Sequence, residues 1–116
     1  MKKSHLLILS ILIVASILII AFAPDQNQNL PGEINEEIAK CIGANSIIYT
    51  QLGCHACKAQ EELFGDYYKY LNEIDCIFEK QECIEAEITA TPTWVIDGKY
   101  YIGVKQIGAL RELTGC

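Results

Sequence analysis

Two cysteines two residues apart, Cys54-His55-Ala56-Cys57, constrain this chain more than any other feature in it. A short apolar run, Ser46 to Gln51, leads into the pair, and a long helical pattern leads out. Two thiols at the start of a helix sit close enough to close a small disulfide ring, and the partial positive charge of the helix N-terminus stabilises the first thiolate. That placement is the context of a redox dithiol rather than of half a zinc site. Cys54, nearer the helix end, is the candidate attacking thiol, and Cys57, one turn in, would resolve a mixed disulfide. His55, if cationic, would favour the Cys54 thiolate and make the disulfide more oxidising; the plain alternative is an exposed histidine with no tuning role.

The N-terminal stretch belongs to no globular core. Leu6 to Ala23 runs eighteen residues without a charge, after Lys2, Lys3 and His5. A secretory signal has an apolar region of about 7–15 residues, whereas about 17 is the lower limit for a bilayer span. Residues 1–23 are therefore expected to form a transmembrane anchor. Ala21-Phe22-Ala23 has the small-residue form of a cleavage site, but Pro24 follows it and disfavours the cut. The first charges beyond the run are acidic, so the positive-inside rule puts the N-terminus in the cytoplasm and the rest outside, as a single-pass protein of the cell membrane.

Residues 24–32 read as a polar tether, with Gln26, Asn27, Gln28 and Asn29 in a row. The remaining residues, 33–116, make one small domain. From Pro24 onward the chain carries seven Lys/Arg against fifteen Asp/Glu, a net charge of −8, which argues against nucleic acid or anionic headgroups as partners.

Within the domain, Ile34, Ile38 and Ile42 mark a short leading helix over 33–41, ended by Gly43 and Asn45. Ile47-Ile48-Tyr49 suits a strand buried on both faces. From Cys54 to Leu71 the series 59, 63, 67, 71 steps by four along one helix face, and Gly65 predicts a kink or a close approach. Residues 74–78 read as a second strand and 81–88 as a short helix. After a loop over 89–92, residues 93–96 and 100–102 form a hairpin turned by Asp97-Gly98. A last helix directs Val104, Ile107, Leu110 and Leu113 inward and stops at Gly115. The order β-α-β-α-β-β-α is that of a minimal thioredoxin-like α/β fold with a four-stranded mixed sheet. In such a fold Pro92 is cis and faces the dithiol, and the Thr91–Pro92 loop would pair with an incoming peptide as an added strand. Trp94 reads as packing rather than as a substrate contact.

All six cysteines lie beyond the apolar stretch, an even number suited to an oxidising compartment. With Cys54 and Cys57 paired, three pairings of the rest remain. Cys76 closes the second strand and Cys83 lies in the next helix; Cys41 closes the leading helix and Cys116 the last. This placement predicts structural disulfides Cys76–Cys83 and Cys41–Cys116, against the alternatives of free thiols at the ends or an electron-shuttling Cys76–Cys83 pair.

The segments Ala39-Lys40-Cys41-Ile42, Tyr49, Cys54-x-x-Cys57, Gln60-Glu61-Glu62-Leu63-Phe64-Gly65, Cys76, Cys83, Pro92-Thr93-Trp94 and Leu113-Thr114-Gly115-Cys116 together resemble the thioredoxin-like domains associated with vitamin K epoxide reductase homologues. The resemblance covers 39–116. It implies an oxidoreductase whose C-x-x-C disulfide oxidises cysteines of exported proteins and is reoxidised by a vitamin K epoxide reductase-like membrane protein, with no cofactor or metal of its own. The chain departs from that group at Gly53 and Thr91, where an aromatic residue is usual. It also carries His55 after the first cysteine instead of a histidine before the second. Two rivals are a disulfide reductase or isomerase, and a four-cysteine zinc module on Cys54, Cys57, Cys76 and Cys83, whose C-x2-C-x18-C-x6-C spacing lacks a second tight pair. A third is a redox-inert interaction domain.

Overall fold

The centre of the molecule is a four-stranded sheet in the order β2-β1-β3-β4. It is seen in a computed structural model that describes residues 2–21 and 32–116, and side chains as far as Leu18 in the first of these segments. β1 (Ile47–Thr50) pairs in parallel with β2 (Glu73–Asp75) and antiparallel with β3 (Thr93–Ile96), which pairs antiparallel with β4 (Lys99–Ile102). The parallel pair needs a crossover, which α3 (His55–Phe64) and a 3-10 helix (Gly65–Tyr70) provide. The β3–β4 hairpin turns on Asp97 and Gly98, both at positive φ (50° and 70°), as a two-residue turn matched to strand twist requires.

The core lies on the sheet face that carries Ile48, Trp94 and Ile96. Against it pack Ile38, Ala39 and Ile42 of α2 (Glu36–Ala44), Phe64 of α3, and Ile107 and Leu110 of α5 (Ile107–Thr114). On the opposite face Tyr49 is buried, and its hydroxyl pKa is raised by burial first and then by the charges of Tyr100 and Glu82. Glu82 belongs to α4 (Lys80–Glu85).

Several expected boundaries move, each for a local reason. The leading helix runs to Ala44: Asn35 caps it by accepting from Ile38 N at 2.9 Å, and the Asn45 N–H bonds back to Cys41 O and Ile42 O. Gly43 therefore lies inside the helix instead of ending it. A Cβ there would stand 2.1 Å from Tyr70 O, so the glycine serves the close approach of α2 to the 3-10 helix. The single helix expected over 54–71 is broken at Gly65, whose φ of 53° and ψ of −131° are not helical. Its expected face is kept in part: Leu63, Tyr67 and Leu71 pack half-buried against the core, but Ala59 is exposed and the buried residues of α3 are Cys57, Gln60 and Phe64. The second strand stops at Asp75 because the Asp75 carboxylate accepts from Ile77 N at 2.8 Å and turns the chain, leaving Ile77 and Phe78 exposed. α4 ends at Glu85, since Glu87 takes positive φ (54°) and Ile88 N bonds back to Cys83 O. Val104 precedes α5 and is exposed rather than inward.

The N-terminal α1 (Lys2–Ala21) is helical, with Ser10 and Ser16 hydroxyls donating to Leu7 O and Leu12 O. Among the described residues no helix is long and apolar enough to cross a membrane. The expected transmembrane helix over 1–23 is thus not found as a span. The expected tether, apart from Gly32, lies outside the described residues.

Candidate active site

β1 delivers the chain to the site through a tight turn in which the Cys54 N–H donates to Gln51 O at 3.0 Å. Gly53 makes the turn with φ of 84°; a Cβ would meet nothing within 4 Å, so the glycine is needed for its backbone angle and not for space. Cys54 is the N-cap of α3. Its sulfur accepts from Cys57 N at 3.1 Å, the bond that a serine or aspartate oxygen makes at other helix starts. Cys54 is half-buried and Cys57 is 7% exposed. The two are joined as a disulfide. In the reduced state the same N–H and the helix N-terminus would face the Cys54 sulfur, which favours its thiolate.

Across from the disulfide stands the loop before β3. The Thr91–Pro92 peptide is cis, and Thr91 O lies 3.6 Å from Cys54 Sγ. Both sides of this loop are fastened: Pro92 O accepts from Gly103 N at 2.8 Å, and the Thr93 hydroxyl donates to Ala90 O at 2.7 Å. Cys54, Cys57, Thr91 and Pro92 are therefore gathered in one place.

A cleft of about 410 Å³ opens on the β2 side of the disulfide, lined by Cys54, His55, Cys57, Lys58 and Glu61 and floored by Thr50, Tyr68, Glu73 and Asp75. His55 stands exposed at its rim. Glu73 accepts from the Thr50 hydroxyl at 2.7 Å and from the Tyr68 hydroxyl at 2.9 Å. Burial, and then the hydrogen bond to Glu73, hold the Tyr68 pKa far above that of a free phenol. A smaller hollow, about 240 Å³, lies between Thr91 and the Cys76–Cys83 disulfide. The third disulfide, Cys41–Cys116, ties α2 to the C-terminus, away from this site. Cys54, Cys57, Cys76 and Cys83 are thus divided between two disulfides. Among the described residues no group of three or more His, Cys, Asp or Glu is placed to hold a metal ion.

One residue of the site escapes the sequence reading. Gln60, fully buried, uses its carbonyl to accept from Trp94 Nε1 at 3.1 Å and Lys105 N at 2.7 Å, and its amide to donate to Lys105 O at 3.0 Å. The signal was a polar residue at position 60 on the same helical stripe as Leu63, Phe64 and Tyr67, which pack against the core.

No known family's sequence profile matches the chain. Among curated proteins it is similar to thiol-disulfide oxidoreductase LTO1 of Arabidopsis thaliana, 34% identical over an alignment of 83 residues that covers 64% of this chain and 22% of that protein. The chain thus spans about a fifth of the length of this relative. A solved structure, the NTD_N/C domain of alkylhydroperoxide reductase AhpF from Enterococcus faecalis, matches 70% of this chain and 44% of its own at 20% identity, with a TM-score of 0.43. The assignment of fold stands on the chain's own geometry. With the sheet order β2-β1-β3-β4, a disulfide at the N-terminus of the crossover helix and a cis Thr91–Pro92 peptide whose Thr91 O lies beside it, residues 33–116 have a thioredoxin-like fold.

Proposed function

We propose that this protein is a thiol–disulfide oxidoreductase that oxidises cysteines of exported proteins. The observation that carries the reading is the Cys54–Cys57 disulfide at the α3 N-terminus, with the Cys57 N–H on the Cys54 sulfur and Thr91 O 3.6 Å away. A substrate thiolate attacks Cys54 Sγ, the Cys54–Cys57 bond breaks, and Cys57 leaves as a thiolate that takes up a proton. A second substrate thiolate then attacks the substrate sulfur of the mixed disulfide and releases Cys54, whose thiolate is a good leaving group at the helix end. The substrate gains one disulfide and the domain becomes a dithiol. The Thr91–Pro92 loop receives the substrate backbone, and His55 at the rim tunes the pair.

The dithiol must be reoxidised. A disulfide of a vitamin K epoxide reductase-like membrane protein is the acceptor we infer, supported by the sequence resemblance over 39–116. Membrane attachment through Leu6–Ala23, with the domain on the extracytoplasmic side, is supported by the length of that run and by the charge asymmetry around it. The deciding measurement is the reduction potential of the Cys54–Cys57 pair. A value well above the ~−270 mV of thioredoxin is expected; a value at or below it would make the protein a reductase instead.

A further inference from the structure

α3 carries the redox disulfide, yet little holds its first two turns in register. The turn before it, Gln51 to Gly53, is exposed, and α3 buries only Cys57, Gln60 and Phe64. Phe64 packs on Trp94 with ring centroids 6.0 Å apart, a contact that tolerates sliding and rotation. The directional bonds from this face are those of Gln60. They end on two residues of particular position. Trp94 lies two residues beyond Pro92, and Lys105 lies two residues beyond Gly103, whose N–H holds Pro92 O at 2.8 Å. Gln60 thus bonds to both sides of the clamp that fixes the cis-proline loop, through the Trp94 indole of β3 and through the Lys105 backbone beyond β4, from a position one turn along the helix from Cys57.

We propose that Gln60 is a positioning residue that sets the gap between Cys54 Sγ and the Thr91 backbone, so that a peptide lying along Thr91 presents its sulfur in line with the Cys54–Cys57 bond. The inference rests on the exchange activity proposed above. A small dithiol needs only the exposed Cys54 sulfur, whereas a peptide must meet the sulfur and the loop together, so the two reagents separate positioning from general integrity.

The test uses the full-length chain purified in detergent, with rates of reduction of Cys54–Cys57 measured for dithiothreitol and for a reduced cysteine-containing peptide. Gln60→Met keeps the volume and removes all three hydrogen bonds. Its peptide rate should fall roughly ten- to hundredfold, as a displacement near 1 Å at a reacting centre does, while its dithiothreitol rate stays within about twofold, because the Cys57 N–H and the helix N-terminus still face Cys54. Trp94→Phe keeps an aromatic ring, though a smaller one, and removes one donor. It should lower the peptide rate about fivefold, in keeping with a single hydrogen bond, and it carries the same comparison should Gln60→Met fail to fold. Equal losses with both reagents, or no loss with either, would overturn the positioning role. A wild-type protein inert to both reagents would instead overturn the exchange activity itself, a result distinct from any pattern among the variants.

Discussion

At the scale of single residues, Cys54 and Cys57 differ in exposure and in what their sulfurs face. The Cys54 sulfur caps α3 and is half-buried, whereas Cys57 is 7% exposed. In the exchange we propose, the incoming thiolate therefore reaches Cys54 first. Cys54→Ser should abolish disulfide transfer, and Cys57→Ser, whose Cys54 thiolate can still attack a substrate disulfide and release one substrate thiolate, should accumulate mixed disulfides with the oxidised substrate on non-reducing gels; trapping by Cys54→Ser alone would reverse the roles. Gly43 is a residue-scale constraint of another kind. A methyl group there would press on a backbone carbonyl, Tyr70 O at 2.1 Å, which has no flexible end to yield. Gly43→Ala should cost roughly 3 kcal/mol, at the upper end of overpacking penalties, read from the shift of the urea midpoint. A variant as stable as the parent would show that α2 can move away from the 3-10 helix.

At the scale of elements, the break at Gly65 lets the chain turn into a 3-10 helix that sets Tyr68 over Glu73 of β2, while Thr50 of β1 holds the same carboxylate oxygen. Three elements thus meet at one oxygen atom on the floor of the cleft. Burial is the larger cause of the raised Tyr68 pKa, and the bond to Glu73 adds to it. A raised pKa means that the folded state holds the phenolic proton more tightly than the unfolded chain, whose tyrosine titrates near 10.0. The resulting stability is complete below that pH and is lost progressively as pH rises above it towards the folded value. Tyr68→Phe should therefore flatten the fall of unfolding free energy above pH ~10, measured by urea titration at several alkaline pH values. An unchanged slope would place the alkaline sensitivity elsewhere, for example at Tyr49, which is also raised. The separation of α3 from the 3-10 helix was only half legible in the sequence. Gly65 marked the place, but the new direction depends on where Tyr68 and Tyr70 find partners.

At the scale of the whole molecule, the Cys41–Cys116 disulfide joins positions 75 residues apart and fastens the last helix to α2. On the chain-entropy account a loop of this length contributes ~4.5 kcal/mol, a large share of the stability of a small domain. The double variant Cys41→Ser, Cys116→Ser should lose about that much in chemical denaturation while keeping Cys54–Cys57 exchange. A loss of exchange with the fold intact would draw this pair into the relay. The orientation proposed for the whole chain makes its own prediction. A membrane-impermeant thiol reagent should label the reduced domain in intact cells after removal of any wall, and labelling only after lysis would overturn the outward placement.

The sequence by itself determined the order of the elements, the position of the dithiol between a strand and a helix, the Asp97-Gly98 turn and the Gly115 stop. Each of these follows from neighbours within a few residues, where backbone angles and hydrophobic period act directly. Tertiary structure alone decided how the buried face of α3 is completed. Leu63, Tyr67 and Leu71 of the expected series do pack, half-buried, against the core, but Ala59 is exposed. Cys57, Gln60 and Phe64 are the buried residues of α3, and Trp94 and Lys105 offer the two N–H donors and the carbonyl that Gln60 satisfies there. Gly43 changed its meaning for the same reason. Read along the chain it looks like a helix stop, and only the approach of Tyr70, 27 residues later, shows that it is a space left for another backbone.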